Sequence, residues 1–148
     1  MAFVGFHHVA LSSPDLDRLA GFYTGLFGFE KVFEFTWEKG SEAIDRILAL
    51  PDTAGRAVML RTGNSFLEIF EFSSPVPERQ TLNHSVADHG ITHICIAVDD
   101  AAADCARFEK MGLRLHCPPV EMGPFTGTYG RDPDGNVIEI LEVKDKDF

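Results

Sequence analysis

The sequence predicts an α+β fold in which one βαβββ pattern is used twice. Three observations predict it. Phe6-His7-His8-Val9-Ala10-Leu11 aligns with Ile91-Thr92-His93-Ile94-Cys95-Ile96. Ser65-Phe66-Leu67-Glu68-Ile69-Phe70-Glu71-Phe72 aligns with Asn136-Val137-Ile138-Glu139-Ile140-Leu141-Glu142-Val143. Between the members of each pair lie one segment of helical period and further alternating segments. His8 falls on His93 and Glu68 on Glu139. The His-to-Glu separations are 60 and 46 residues, and the difference is about the size of the segment 37–55.

The elements follow in order. Residues 3–11 read as a strand closed by the turn residues Ser12-Ser13-Pro14-Asp15. Residues 15–28 read as a helix with Ser13 as N-cap and Pro14 at its first position. Its apolar face is Leu16, Leu19, Ala20, Tyr23 and Leu26, and Gly28 stops it. Strands are expected at 29–36, 56–62 and 66–72, with a short helix at 41–49. Residues 73–90 are polar, hold Pro75 and Pro77, and read as a linker. The second module has a strand at 91–98 and a helix at 99–111 stopped by Gly112. Strands follow near 113–116, 125–130 and 136–143, with Asp134-Gly135 as the turn before the last. The whole of 1–148 thus reads as one domain of two modules, about 3–72 and 91–143.

Composition narrows the function classes. Thirteen basic residues against 23 acidic give a net charge of −10. This argues against a nucleic-acid or anionic-membrane partner, both of which need a basic surface. Cys95, Cys105 and Cys117 form no CxxC, so neither a disulfide framework nor a cysteine zinc site is expected. The first residues show no basic segment followed by an apolar run, and no stretch is long enough to cross a membrane. A cytoplasmic protein acting on a small molecule is expected.

Strand parity sorts the side chains into two faces. Val9 and Leu11, Leu67 and Ile69, Ile94 and Ile96, and Ile138 and Ile140 take the face that packs under a helix. His8, Glu68, His93 and Glu139 all take the other face, with Phe66, Phe70, Phe72, Val137 and Leu141. Glu71 and Glu142 fall on the helix side. His7 points away from His8 and reads as structural or exposed. His84 and His89 read as solvent-facing linker residues, and His116 stays open. A carboxylate inside an apolar strand is unusual unless something pairs with it. Two imidazoles and two carboxylates make a nitrogen–oxygen ligand set for one divalent ion: zinc, nickel, iron, cobalt or manganese.

These segments resemble a known family. HHVALSSPDLDRLAGFYTGLFGF, FLEIFEF, THICIAVDD and GRDPDGNVIEILE are similar to those of the vicinal oxygen chelate superfamily. That superfamily includes glyoxalase I, methylmalonyl-CoA epimerase, extradiol dioxygenases, fosfomycin-resistance transferases and bleomycin-resistance proteins. The resemblance covers essentially the whole chain. It implies paired modules whose sheets form a half-open curl around a metal-binding cavity. It implies His8, Glu68, His93 and Glu139 as metal ligands, and a homodimer, with the four ligands drawn from one chain or from two.

The position of Glu68 separates the branches. Glyoxalase I has the His/Glu/His/Glu set found here, whereas the epimerase usually has Gln at that position. Extradiol dioxygenases and fosfomycin enzymes have no ligand there. The resemblance therefore implies a metal-dependent isomerase or lyase that moves a proton next to a carbonyl, with Glu68 and Glu139 as the catalytic carboxylates. Phe66, Phe70 and Tyr129 are the candidates for lining the substrate cavity. Tyr129 to Glu139 also follows the YxxDPxGxxxE part of the extradiol signature, without the catalytic His that should precede it. A ring-cleaving dioxygenase is thus one alternative, and a metal-free sequestering protein of the bleomycin-resistance kind is another. Arg18, Arg56, Arg61 and Arg131 are the cations a glutathione substrate could use, but they form no evident site.

Overall fold

The computed structural model describes residues 2–78 and 81–145. It divides into two units, Met1–Arg79 and Gln80–Phe148. The first runs β1 (His8–Ser12), α1 (Leu16–Phe27), β2 (Glu30–Trp37), α2 (Glu42–Leu48), β3 (Ala54–Arg61) and β4 (Phe66–Ser74). The second runs β5 (Ile94–Val98), α3 (Ala101–Lys110), β6 (Arg114–Leu115), β7 (Val120–Met122), β8 (Phe125–Arg131) and β9 (Val137–Val143). The α+β class and the doubled βαβββ pattern hold, with α2 inserted in one unit and β7 in the other.

Each unit is one open sheet with a long helix against it. The strand orders are β1-β4-β3-β2 and β5-β9-β8-β6, with β7 pairing β8. In both units the first strand pairs in parallel with the last. Such a pair needs a long crossover, and the helix and middle strands of the module supply it.

The helices form for the reasons the sequence gives. Leu16, Leu19, Tyr23 and Leu26 of α1 are buried. They share that core with Val58 and Leu60 of β3 and Leu67 and Ile69 of β4. In the second unit Ala101, Cys105 and Phe108 of α3 are buried, as are Leu113, Ile138 and Ile140. Full burial of one such large apolar side chain contributes about 1.5–3 kcal/mol. Gly28 ends α1 with φ at 71°, and its N–H reaches the Thr24 carbonyl.

Several sequence expectations are corrected at the element ends. The N-cap of α1 is Asp15, whose side chain accepts from the Arg18 N–H, not Ser13. Ser13 is buried and its hydroxyl bonds the Asp15 backbone, which shapes the entry turn instead. Pro14 therefore precedes the cap. The strand expected over 3–11 begins only at His8, because β4 begins at Phe66, the partner of His8. Phe3, Val4 and Phe6 have no strand to pair with and stay exposed. The strand expected over 91–98 begins only at Ile94, which pairs with Ile138 of β9. β7 is a three-residue strand that the sequence reading missed; Gly123, at φ 68°, makes the turn to β8.

Glu71 and Glu142 lie on the helix side, and both have work there. Glu71 Oε2 accepts from the Leu16 N–H at 2.7 Å, and Glu142 Oε2 accepts from the Ala101 N–H at 3.0 Å. Each carboxylate meets the first residue of its helix, where N–H groups lack partners and the helix dipole favours negative charge. Arg56 adds a bond to Glu71 at 2.9 Å and one to Asp17 at 2.8 Å, and these partners raise its already high pKa. In the second unit the residue facing Glu142 is Thr126, which carries no charge.

The two Glu→Ala variants should therefore differ. E142A loses one cap and should cost about 1–2 kcal/mol. E71A also strips a carboxylate from Arg56 and should cost more, about 2–3 kcal/mol. Urea unfolding of both variants measures this; equal or negligible losses would contradict the capping role.

Candidate functional site

Register places the four sequence-predicted ligands in two equivalent pairs. Glu68 of β4 pairs with Ala10, and His8 lies two residues before Ala10. Glu139 of β9 pairs with Cys95, and His93 lies two residues before Cys95. The offset is identical, so in each unit the imidazole reaches diagonally to its carboxylate. His8 Nε2 lies 3.4 Å from Glu68 Oε2, and His93 Nε2 lies 3.0 Å from Glu139 Oε2. The glutamates are the better buried members, at 15% and 18% side-chain exposure against 38% and 27% for the histidines. Among the described residues no three His, Cys, Asp or Glu side chains converge tightly enough to hold an ion. The structure thus brings the predicted ligands together as two pairs, one per unit.

The donor chemistry of each pair suits a divalent cation. Both imidazoles turn Nε2, the atom farthest from the backbone, toward a carboxylate oxygen. A borderline or hard divalent ion takes neutral imidazole nitrogen and carboxylate oxygen. A cation beside Glu68 and Glu139 would also offset the cost of setting carboxylates among apolar side chains.

The first unit lays aromatic rings on the sheet face that carries Glu68. Cross-strand pairing puts Phe33, Phe35 and Trp37 of β2 on the face of Glu68, over Met59, Ala57 and Gly55 of β3. Phe70 and Phe72 of β4 complete that face. The Trp37 ring centroid is 6.1 Å from that of Phe70 and 5.5 Å from those of Phe72 and Phe35. Gly55 makes this possible. A Cβ there would sit 2.9 Å from the Trp37 ring and 2.5 Å from the Glu71 carbonyl oxygen. The indole N–H donates to Thr53 Oγ1 at 3.1 Å, which settles its polar edge. The predicted lining residues Phe66 and Phe70 are half-buried on this face. Trp37, Phe33 and Phe35 were less evident, although their every-second spacing carries the signal.

The second unit is built differently. The third predicted lining residue, Tyr129 of β8, pairs with Glu139 and sets its ring 5.0 Å from His93. Partial burial, then Glu139 and then Cys95, raise the Tyr129 pKa, so the phenol keeps its proton. Cys95 is exposed as a residue, yet desolvation of its thiol and the Glu139 carboxylate push it up to about 12. It is a neutral thiol, not a thiolate, at neutral pH. His116, left open by the sequence, packs edge-on to Tyr129 at 6.3 Å. Burial and then the Arg131 charge lower its pKa, so it is neutral at pH 7.

Two other histidines depart from the sequence reading. His84 is half-buried, because Arg131 donates to its carbonyl at 2.6 Å and also to the Gly135 carbonyl at 2.7 Å. His7 does not turn away from His8; the two Nδ1 atoms are 2.8 Å apart.

The chain is similar to known proteins along most of its length. A family model described as Glyoxalase/Bleomycin resistance protein/Dioxygenase superfamily matches residues 5–140, and the chain belongs to that family. A 2-epi-5-epi-valiolone epimerase from Actinomyces sp. is 34% identical, over 95% of this chain and 80% of the relative. A lactoylglutathione lyase from Pseudomonas aeruginosa is 28% identical, over 93% of this chain and 82% of the relative. A glyoxalase family protein of known structure from Bacillus cereus superposes with a TM-score of 0.86 at 20% identity, over 97% of this chain and 96% of that one. With relatives named as an epimerase and a lyase, the chain is an enzyme of this superfamily. No helix among the described residues is long and apolar enough to cross a membrane.

The chain has one tryptophan, so the aromatic face has its own reporter. Trp37 is 5% exposed. Its emission should be blue-shifted and poorly quenched by iodide. G55A should red-shift that emission and cost about 1–3 kcal/mol of stability, as overpacking does. An unchanged spectrum and stability in G55A would mean that the indole does not lie over Gly55.

Proposed function

We propose that this chain is a divalent-metal-dependent enzyme of the glyoxalase and epimerase kind, which moves a proton next to a carbonyl in a small substrate. His8 and Glu68 of one module would hold the ion with His93 and Glu139 of another, in the same chain or in a partner chain of a homodimer. The observation that carries this reading is the doubled His–Glu pair, set by one strand offset and with both Nε2 atoms toward carboxylate oxygen. When bound, the ion supplies Lewis-acid stabilisation of the negative charge that grows on the carbonyl oxygen.

The residues of the chain do the rest. A carboxylate removes the proton from the carbon beside the carbonyl, and the same or the other carboxylate returns it. Return to the opposite face of that carbon inverts it, and return to the neighbouring carbon isomerises the substrate. Glu68 is the better candidate for the shuttle and Glu139 for the steadier ligand. The His8–Glu68 contact, at 3.4 Å, is looser than the 3.0 Å of His93–Glu139. The aromatic face beside Glu68 favours a substrate with an apolar portion.

A glutathione conjugate is the less favoured substrate. Arg56 is committed to Glu71 and Asp17, and Arg131 to two backbone carbonyls. The epimerase relative, at the higher identity, also points to a carbonyl compound without that tripeptide.

Deuterium incorporation from solvent into a panel of 2-oxo and thioester compounds tests the reading. The metal-loaded protein should exchange one carbon-bound hydrogen, and chelation should abolish the exchange. E68Q should lower the rate by about 10²–10⁴-fold, the usual worth of a general base. Full exchange in E68Q, or in metal-free protein, would refute the assignment.

A further inference from the structure

We propose that the residue preceding each ligand histidine, His7 in one module and Thr92 in the other, is a positioning residue that fixes the histidine's tautomer and aims Nε2 at the metal. The inference depends on the metal reading above and goes beyond it. His7 Nδ1 lies 2.8 Å from His8 Nδ1, and Thr92 Oγ1 lies 2.8 Å from His93 Nδ1. In both modules, then, the preceding side chain holds the inner ring nitrogen while the outer one faces glutamate. The residue types differ and the distance is the same.

Strand parity forbids such a contact inside a strand, where neighbouring side chains point to opposite faces. Here it is allowed because β1 begins at His8 and β5 begins at Ile94. His7 and Thr92 precede their strands and can turn toward the histidine. His7 is itself anchored. Its carbonyl accepts from Ser65 Oγ at 2.8 Å and from the Phe66 N–H at 3.1 Å. Its ring stacks on Phe66, with centroids 4.9 Å apart and planes 22° apart.

The chemistry follows from the number of protons on a neutral imidazole. A ring that donates its Nδ1–H carries a lone pair on Nε2, and that lone pair is what binds a metal. Thr92 Oγ1 can accept that proton from His93. His7 Nδ1 can accept it from His8 only if His7 carries its own proton on Nε2. The opposite arrangement would leave Nε2 of the ligand protonated and useless for the metal.

Four variants test this. H7F keeps a ring against Phe66 but removes the acceptor, while H7N restores an acceptor near the Nδ1 position. T92V removes the hydroxyl, while T92S restores it. Zinc affinity by chelator competition should fall about 10–100-fold in H7F and T92V, the usual cost of losing a partner of a ligand histidine. H7N and T92S should stay within about threefold of the unaltered chain, with thermal midpoints unchanged in all four. In zinc-loaded protein, imidazole ¹⁵N spectra should show His8 and His93 bound through Nε2 and protonated on Nδ1. Unchanged affinity in H7F and T92V, no rescue by H7N and T92S, or zinc bound through Nδ1 would overturn the proposal. If the unaltered chain binds no zinc, the metal reading and this proposal fall together; if it binds zinc and the variants bind equally well, this proposal falls alone.

Discussion

The parallel pairing of the first and last strand in each module is the constraint on which the rest depends. A parallel pair has no hairpin to set its register. Here Glu71 and Glu142 help to set it by fastening the last strand to the first residue of the helix that leaves the first strand. Three residues earlier on the same strands stand Glu68 and Glu139. An odd separation on a strand means opposite faces, so fastening one glutamate to the helix turns the other toward its histidine. A slip of one residue would exchange the two roles and bury the wrong carboxylate.

The two modules spend that common frame differently. In the first, small residues at Ala57 and Gly55 leave room for a sheet-wide layer of rings from Phe33 to Phe72. In the second, the positions around Glu139 carry Tyr129 and Cys95, both held in their neutral protonated forms. One carboxylate stands in apolar surroundings and the other beside hydroxyl and thiol. That difference is a physical basis for giving the paired glutamates unequal roles. The helix ends differ too: Arg56 stands across the strands from Glu71 and bonds it, whereas the uncharged Thr126 holds the equivalent place opposite Glu142.

Much of this was legible in the sequence, because it rests on periods and on a repeat. Apolar alternation gave the faces of β1, β4, β5 and β9. The doubled His and Glu pointed to the two His–Glu pairs that the strands bring together. Asp134-Gly135 gave the β8–β9 turn, which Asp132 closes by accepting from the Asn136 and Asp134 N–H groups. What escaped depends on neighbours far along the chain. Residues 3–7 have strand composition but no partner strand, since β4 starts opposite His8. Ser13 and Asp15 are both good caps by type, and only the local backbone separates them. The contact of His7 with His8 was hidden by applying parity where no strand yet exists. His84 reads as polar linker, and it is half-buried only because Arg131 reaches it from 47 residues away.

X-ray absorption at the metal edge of zinc-loaded protein tests the central claim most directly. If both modules serve one ion, its shell should contain nitrogen and oxygen donors only, with the multiple scattering of two imidazoles for each zinc. One imidazole per zinc would mean that each His–Glu pair acts alone. A sulfur scatterer near ~2.3 Å would place Cys95 in the shell. Either result would contradict the account.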